Sequence, residues 1–468
     1  MKRVESDSPV NVLHMLKDLS FGGPQNLVLD MIRGNREKKL FNLFVVYNTP
    51  STQARLNDYS SGANVQMYKL DRWSISCIIS YVKKLREIIR ANNIQIVHCH
   101  TNIDAYRARL AVIPYNIRGF FHSRKNRKHA TVVLTIHGMT LNLNYLSEFF
   151  MGEIDNTISE KNIRVLDRLF LKHCKICFES KAAREFYLKD YHQYPEFGGE
   201  KGGILMKSVV IHNGVFVPRI LNAKPISYGE LNSYVMHYPG EPDVSIPRGK
   251  ILLAMVGSFS SYAQRDQMLI CKAIVLLKQK LAELPFAFLF VGRSTFEKDY
   301  HRVKEQEVND SYPDRDEMAD CLQYCRENNL ANDIFFMQPD IDVPSLLKTI
   351  SCYVYASNQD TFGISVVEAI ISGVDVICSN SAVFMEITHN GELARLSENS
   401  PEAFAAAISH FLKYKLEEKT ESDADRAVDE QIDMKESEEQ MIVAARLYTI
   451  ERCLNDYKEI FYTVDSKH

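Results

Sequence analysis

The stretch CYVYASNQDTFGISVVEAIISG, Cys352 to Gly373, decides the fold class of this chain. Its first residues form a short apolar run that is typical of a buried strand, and from Phe362 onward the apolar residues have helical spacing. A strand that leads directly into a helix indicates a parallel sheet with helices on its faces. Within this helix Glu368 lies among apolar neighbours such as Val367, so a polar partner or a ligand must meet its carboxylate.

The same alternation of strands and helices runs through most of the chain. Apolar strand-like runs such as NVLHML, IQIVHCH and TVVLTIHG precede residue 218, and ILLAMVGSF, FAFLFVGR and VDVICS follow residue 248. Between residues 219 and 248 the pattern lapses in a segment rich in Pro, Gly and Tyr, which is typical of a linker. We therefore predict two Rossmann-like, doubly wound α/β domains, residues 1–218 and 249–440, followed by a packed C-terminal helix over residues 441–468. Ligands of such paired domains bind in a cleft at the carboxyl ends of the strands.

Composition narrows the class of protein. The formal net charge is −3 over 468 residues, which disfavours a general nucleic-acid binder. The opening MKRVESDSPV has no apolar signal-peptide core, and no run approaches the roughly 20 uncharged apolar residues of a membrane span. The cysteines lie mainly in strand-like or helix-like segments, which favours reduced core thiols over a disulfide framework or a zinc site. We interpret the chain as a soluble cytoplasmic protein.

Two glycine-containing motifs directly follow predicted strands. Gly22 and Gly23 permit close approach of the backbone to a ligand, and the helix that Pro24 begins favours phosphate at its N-terminus. The alternative interpretation is a simple turn, which is the more frequent role of a Gly-Gly pair. In the second motif Asp360 or Thr361 caps the helix that starts near Phe362. The backbone amides predicted to meet a phosphate or a sugar hydroxyl there are those of Phe362, Gly363 and Ile364.

The order of these motifs resembles that of the family 4 retaining glycosyltransferases of the GT-B fold. The matching segments are the Gly-Gly after the first strand, LTIHG, VIHNGV, VGSFSSYAQRDQ and DTFGISVVEAIISG, over nearly the whole chain. The resemblance implies a GT-B fold of two Rossmann-like domains that face a central cleft. It also implies a retaining hexosyltransferase that moves sugar from a UDP- or GDP-sugar to a hydroxyl of a glycan or lipid-linked glycan, as in polysaccharide biosynthesis. No metal and no cofactor beyond the donor are expected.

The resemblance also implies roles for individual residues. Glu368 corresponds to the acid that binds the ribose hydroxyls of the donor, and Asp360, in place of the family Glu, to the acid that holds the donor sugar. His137 corresponds to a residue near that sugar. Arg265 matches the family lysine of the diphosphate clamp, whereas Ser258 replaces the family arginine, so one cation is missing at its usual place. The predicted catalytic residues are thus His137, Asp360 and Glu368, and the predicted donor-binding residues are Gly22, Gly23, Ser258, Arg265, Phe362, Gly363, Ile364 and Glu368.

Three further patterns carry predictions. Arg293 in FVGRS either supplies the missing cation or lies on the surface. His98 and His100 share one face of a strand, and one of them is predicted to approach the acceptor. The motif DIDV, Asp340 to Val343, has the spacing of a DxD metal site, but we interpret it as a loop and a helix start.

The segment from residue 105 to 147 is basic, and the transferase interpretation has two rivals. Residues 105 to 147 contain no acidic residue, and a basic run with adjacent Phe120 and Phe121 indicates either a solvated loop or contact with an anionic membrane. The basic residues are Arg118, Arg124, Lys125, Arg127 and Lys128. The rivals to a transferase are a nucleotide-sugar epimerase of the same fold and a non-catalytic sugar-nucleotide-binding protein.

Overall fold

The chain is represented by a computed structural model that divides into two compact units. The first unit comprises Met1–Phe216 and Tyr448–His468, and the second comprises Val217–Leu447. The structure describes residues 9–19, 22–47, 53–60, 65–69, 75–120, 130–138, 168–191, 203, 207–237, 244–259, 265–281, 283–293, 317–417 and 437–465.

The first unit is built on a parallel sheet of seven strands in the order β3-β2-β1-β4-β5-β6-β7. β1 and β4 are the neighbours from which the strand order runs outward in opposite directions, and their register places His14 opposite His98. The strands are β1 Val10–Leu16, β2 Phe41–Tyr47, β3 Val65–Lys69, β4 Ile96–Cys99, β5 Thr131–Ile136, β6 Lys175–Phe178 and β7 Val209–Val210.

The second unit is built on a parallel sheet of six strands in the order β10-β9-β8-β11-β12-β13. Every residue of the interior strand FAFLFV is buried, as expected for a parallel strand covered on both faces. The strands are β8 Ile251–Val256, β9 Phe286–Val291, β10 Ile334–Met337, β11 Cys352–Tyr355, β12 Asp375–Ser379 and β13 Arg395–Ser397. The predicted α/β class with two doubly wound sheets is confirmed.

Helices connect these strands in both units. They are α1 Gly23–Lys38, α2 Gln53–Ser60, α3 Ile75–Ala91, α4 Asn102–Phe120, α5 Lys181–Tyr191, α6 Val217–Leu221, α7 Tyr228–Ser233, α8 Gln267–Lys278, α9 Glu317–Glu327, α10 Val343–Leu347, α11 Ile364–Ser372, α12 Ala382–Ile387, α13 Pro401–Glu417 and α14 Ile450–Asp465. Among the described helices none is long and apolar enough to cross a bilayer.

The observed division differs from the predicted domains on both sides of the second unit. The segment predicted as a linker belongs to that unit, where α6 packs against α10 and α11. Its few buried apolar residues are too irregularly spaced to give a period in the sequence; they are Ile220, Ile226, Leu231, Val235 and Ile246. At the other end, the helix predicted over residues 441–468 is interrupted at Tyr448 and Thr449.

The interruption has a tertiary cause. The amide of Val215 donates to the carbonyl of Tyr448 at 2.9 Å, and the amide of Ile450 donates to the carbonyl of Val215 at 2.9 Å. These bonds replace helical ones, and the last helix, α14, belongs to the first unit, where it packs against α1. The buried cysteines Cys99, Cys271, Cys352 and Cys378 are free thiols.

Gly214 of the motif VIHNGV lies next to these backbone hydrogen bonds, and its packing gives a prediction. A Cβ at residue 214 would lie 2.6 Å from Ile450 Cα and 2.7 Å from the carbonyl oxygen of Thr449, both backbone atoms. We expect Gly214→Ala to lower the free energy of unfolding by about 1–3 kcal/mol, because overpacking must displace the start of α14. Urea unfolding measures the loss. The matched control is Gly229→Ala, where a Cβ meets nothing within 4 Å; equal midpoints for the two variants would contradict the prediction.

The predicted membrane contact falls outside the described residues. Residues 121–129 and the side chain of Arg118 at the end of α4 are not described. Contact through Arg118, Arg124, Lys125, Arg127 and Lys128 therefore stays a prediction.

Candidate functional site

The strongest candidate site in the second unit lies after β8 and β11. These adjacent strands are the point from which the strand order of the sheet runs in opposite directions, which is where doubly wound sheets bind ligands. Ser258 follows β8, and Asp360 follows β11 and precedes α11. Arg265 forms an isolated antiparallel bridge with Ser357, which brings the residues before α8 to the end of β11.

Four side chains form a continuous hydrogen-bonded chain here. Arg265 donates from Nη1 to Ser258 Oγ at 2.7 Å and from Nε to Tyr355 Oη at 2.7 Å. Tyr355 donates in turn to Asp360 Oδ2 at 2.6 Å, and that oxygen lies 4.0 Å from Arg265 Nε. The guanidinium is therefore held in one orientation, with 24% of its side chain still exposed.

The pKa shifts of two of these side chains preserve the hydrogen-bond donors that link the four. Burial raises the pKa of Tyr355 well above its ordinary value, although the charge of Arg265 opposes the shift, so the phenol remains a donor at neutral pH. Burial alone would lower the pKa of Arg265, but Tyr355 and Asp360 outweigh it and raise that pKa overall. The guanidinium of Arg265 thus keeps its positive charge beside Asp360.

Asp360 uses its second oxygen to organise the start of α11. Oδ1 accepts hydrogen bonds from the amides of Thr361 at 3.0 Å and Gly363 at 3.2 Å, with the amide of Phe362 at 3.5 Å. The amides of Phe362 and Gly363 are therefore directed at Asp360, and their contact with a ligand stays a prediction. They are directed at the carboxylate because a short Asp side chain folds back onto its own turn.

The start of the helix also differs from the sequence-based prediction. α11 begins at Ile364, and its N-cap is Gly363, which has a φ of +75° and no side-chain cap. A Cβ at residue 363 would lie 2.6 Å from Phe384 Cε1. Both the left-handed backbone and the close aromatic ring therefore require glycine at this position.

Glu368 is buried on α11, and its polar partner is Arg219. The side chain of Glu368 is 9% exposed, and Oε1 lies 3.8 Å from Arg219 Nη1. Arg219 also donates to Asp342 Oδ1 at 3.2 Å. Asp342 caps α10 by accepting from the amide of Ser345 at 3.0 Å, so the motif DIDV forms the predicted loop and helix start. Arg219 was missed by sequence reasoning because it lies in the segment interpreted as a linker.

Two glycines allow the strand ends of this unit to meet. A Cβ at Gly292 would lie 1.9 Å from the carbonyl oxygen of Gly257, and the amide of Phe259 donates to the carbonyl of Arg293 at 2.8 Å. The segment after β9 therefore contacts the segment after β8 through its backbone. Arg293 lies at this contact, where its role as a second cation stays a prediction.

The first unit contains a chain of buried histidines at the ends of its central strands. His14 Nδ1 lies 3.3 Å from His100 Nε2, and His100 Nδ1 lies 2.9 Å from His137 Nε2. His137 Nδ1 lies 2.6 Å from Glu179 Oε1, which also accepts from Asn213 Nδ2. These linked side chains run across the sheet from His14 in β1 to Glu179, the residue after β6.

Glu179 sets the direction of the hydrogen bonds between these histidines. A carboxylate accepts from His137 Nδ1–H, so His137 Nε2 accepts from His100 Nδ1–H, and His100 Nε2 is left as an acceptor toward His14. Burial lowers the pKa of His14 to about 3 and lowers the pKa of His98 and His100 well below their ordinary value. The three imidazoles are therefore neutral at physiological pH.

This geometry corrects one prediction and restricts another. His98 and His100 are fully or almost fully buried, at 0% and 4% exposure, so the proposed approach of one of them to an acceptor is wrong in this conformation. The face of β4 is covered by α14, whose Tyr457 ring lies 4.9 Å from the His98 ring. His137 is 11% exposed, and both of its ring nitrogens already have partners within the unit.

The predicted glycines lie at the start of α1 in the first unit. Gly22 is the N-cap, in extended conformation, and Pro24 occupies the first turn. A Cβ at Gly22 would lie 2.5 Å from Gln25 Oε1. Ser258, Arg265 and Asp360 are thus brought together, Glu368 lies further along α11, and Gly22, Gly23 and His137 belong to the other unit.

Comparisons with known proteins agree with this architecture. Residues 241–431 match the family glycosyl transferases group 1. No curated protein matches the chain by sequence. A glycosyltransferase of Rickettsia africae is 16% identical, with 97% of this chain and 98% of that chain covered and a TM-score of 0.65. HepE of Anabaena, in complex with UDP and glucose, is 13% identical over 97% of this chain and 100% of its own, with a TM-score of 0.62. Sucrose-phosphate synthase of Thermosynechococcus elongatus is 13% identical over 98% and 100%, with a TM-score of 0.60.

Proposed function

Since residues 241–431 match glycosyl transferases group 1 and the chain has the GT-B fold, we propose that this protein transfers a sugar from a nucleotide diphosphate sugar to an acceptor hydroxyl. The observation that carries the proposal is the fixed guanidinium of Arg265. It lies inside the matched residues, at the point of the sheet where doubly wound folds bind ligands. A transferase of this kind must neutralise the charge that develops on the departing diphosphate.

Arg265 is proposed to bind that diphosphate. Ser258, at the position of the family arginine, accepts a hydrogen bond from Arg265. The single guanidinium of Arg265 therefore serves at the positions of both cations that the family uses. Arginine suits this task because its planar fork binds phosphate oxygens in pairs.

Glu368 is proposed to accept hydrogen bonds from the ribose hydroxyls of the donor. A carboxylate offers about four lone-pair sites, which is enough to accept two ribose hydroxyls beside Arg219, whose Nη1 lies 3.8 Å from Oε1. Arg219 orients the carboxylate while the site is unliganded.

Asp360 is proposed to hold Arg265 through Tyr355 and to offer its remaining acceptor capacity to the donor sugar. The amides of Thr361 and Gly363 and the Tyr355 hydroxyl take about three of its four lone-pair sites. The shorter Asp therefore has less capacity for the sugar than the family Glu. His137 approaches a sugar only by giving up one of its two partners.

The finer features of the reaction follow the resemblance. We propose a UDP-sugar as donor, supported by the crystal structure of HepE with UDP and glucose, and GDP-sugar as the alternative. We also propose transfer of a hexose with retention to a glycan or lipid-linked glycan, with no metal in the donor site. Peripheral contact with an anionic membrane remains part of the proposal.

Thermal unfolding with nucleotides tests the donor site. We expect one of UDP, GDP and ADP, each added in excess with EDTA, to stabilise the protein, because a ligand at a hundredfold its Kd adds about 2.7 kcal/mol. A shift of equal size in Glu368→Ala, or no shift with any nucleotide, would contradict the proposal. Glu402→Gln, an exposed acid in α13 of the same unit, is the control and should keep the shift.

The released products distinguish the three candidate functions. A transferase releases the nucleoside diphosphate from the sugar donor, slowly to water and faster with a suitable acceptor. An epimerase converts the donor sugar without releasing nucleotide. A non-catalytic binder, which Ser258 and the occupied Asp360 favour, gives the nucleotide-dependent shift in Tm and neither product.

A further inference from the structure

Three buried histidines converge in the core of the first unit. His14 lies in β1, His98 in β4 and His100 directly after β4. One ring nitrogen from each lies within 4.8 Å of the corresponding nitrogens of the other two. Their side chains are 0%, 0% and 4% exposed, so bulk water does not solvate them.

Two ring nitrogens of this group need a partner. In the part of the chain that the structure describes, His14 Nε2 and His98 Nδ1 are buried and have no hydrogen-bond partner. A buried polar atom without a partner costs about 1–3 kcal/mol. Folded proteins usually meet such atoms with an ordered water or an ion.

The distance between two of the nitrogens suits a tetrahedral metal. His14 Nδ1 and His100 Nε2 are 3.3 Å apart, at the long end of the range for a hydrogen bond. Two nitrogens bound tetrahedrally at 2.0–2.1 Å to one Zn²⁺ are separated by about 3.3–3.4 Å. This one distance therefore matches an edge of a tetrahedral site, and one nitrogen of each of the three histidines lies within 4.8 Å of the others.

Two of the three histidines have the outer partners that metal-bound histidines require, whereas His14 Nε2 has no hydrogen-bond partner among the described residues. His100 Nδ1 lies 2.9 Å from His137 Nε2, and that ring is held by Glu179. His98 Nε2 lies 2.8 Å from Thr135 Oγ1, which contacts Tyr457 Oη at 2.8 Å. Such outer hydrogen bonds fix the tautomer of a ligand and raise its basicity.

We propose that the first unit binds one transition-metal ion through His14, His98 and His100. Imidazole ligands without a carboxylate favour Zn²⁺, Cu²⁺ or Ni²⁺ over Mg²⁺ or Ca²⁺. The ion ties β1 to β4 and, through Thr135 and Tyr457, to β5 and α14. Its role is structural and separate from the donor chemistry, which we assign to residues of the second unit.

Metal content and cobalt spectroscopy of the full chain test this proposal. The protein is produced without a histidine tag in medium that contains zinc, and bound metal is measured against protein concentration. We expect about one equivalent per chain. Apoprotein, prepared by unfolding with a chelator and refolding, should gain the visible absorption of four-coordinate Co²⁺ on titration and lose it when Zn²⁺ is added.

Matched variants locate the ion. His14→Gln and His98→Gln should each lose the bound metal and the cobalt spectrum, whereas His173→Gln, an exposed histidine of the same unit, should retain both. Folded wild-type protein without metal and without a cobalt spectrum overturns the proposal and leaves a chain of neutral histidines with buried water. Equal metal content in His14→Gln and wild type places the ion elsewhere and also overturns it. If the variants fail to fold, the wild-type titration still decides.

Discussion

Glu368→Ala is expected to lower kcat/KM for sugar transfer by about 10²- to 10⁴-fold, because the ribose would lose two hydrogen bonds to a charged group worth about 1.5–3 kcal/mol each. The affinity for the nucleoside diphosphate should fall by a similar factor, since the ribose contact belongs to ground-state binding. Nucleotide affinity by calorimetry and donor turnover by nucleotide release measure the two effects. Glu368→Gln keeps one carbonyl acceptor and should lie between Ala and wild type.

A second interpretation of Glu368 is that it only pairs with Arg219. Arg219→Met separates the two interpretations, because it removes the guanidinium that lies 3.8 Å from Oε1 and leaves the carboxylate in place. If Glu368 binds ribose, Arg219→Met retains nucleotide binding that Glu368→Ala loses. Equal stability losses with unchanged nucleotide affinity in both variants would reduce Glu368 to a structural ion pair. Glu402→Gln controls for removal of an acid from the same unit.

Arg265→Ala is expected to lower kcat by about 10²- to 10³-fold, the usual effect of removing one preorganised donor to a developing anion. The effect should be specific to the diphosphate: the affinity for UDP falls, whereas the affinity for uridine, which has no phosphate, does not change. Arg265→Lys should recover only part of the activity, because an ammonium cannot contact Ser258 and Tyr355 in the same planar arrangement. Steady-state kinetics and calorimetry with both ligands measure these changes.

Two further variants test the role of Arg265, one as a control and one with a smaller expected effect. Lys272→Ala removes an exposed cation of α8 in the same unit and should change neither kcat nor UDP affinity. Tyr355→Phe removes the hydroxyl that orients Arg265 and bridges it to Asp360, so it should lower kcat by a smaller factor than Arg265→Ala. Equal uridine and UDP losses in Arg265→Ala would show a general disturbance of the site and contradict the role of Arg265.

The sequence was sufficient for the strands that are nearly continuous apolar runs. FAFLFV and CYVYAS required no tertiary information, because burial on both faces of a parallel sheet leaves a local signature. β13, Arg395–Ser397, was missed because it is short and mixes an exposed arginine with a buried serine. The break at Tyr448 was missed for a related reason, since helical spacing continues through residues whose hydrogen bonds go to Val215.

The candidate site was predictable in part. The position of Asp360 and Glu368 around α11 follows from a strand, a glycine and a helix that are adjacent in the chain. The partners of those acids do not follow from adjacent elements. Arg219 reaches Glu368 across 149 positions, and Tyr355 joins Arg265 to Asp360 only once β8 and β11 are neighbours.

The sequence by itself thus determined the order of strands and helices, the two parallel sheets and the residues that follow each strand, because periodicity and turn chemistry act between near neighbours. Only the tertiary structure decided which side chains meet. It directed the amides that precede α11 to Asp360, paired Glu368 with Arg219, and buried His14 against His98 and His100. The reason is physical: hydrophobic burial places a segment, but a hydrogen bond depends on ångström distances between atoms that the chain separates by tens or hundreds of residues.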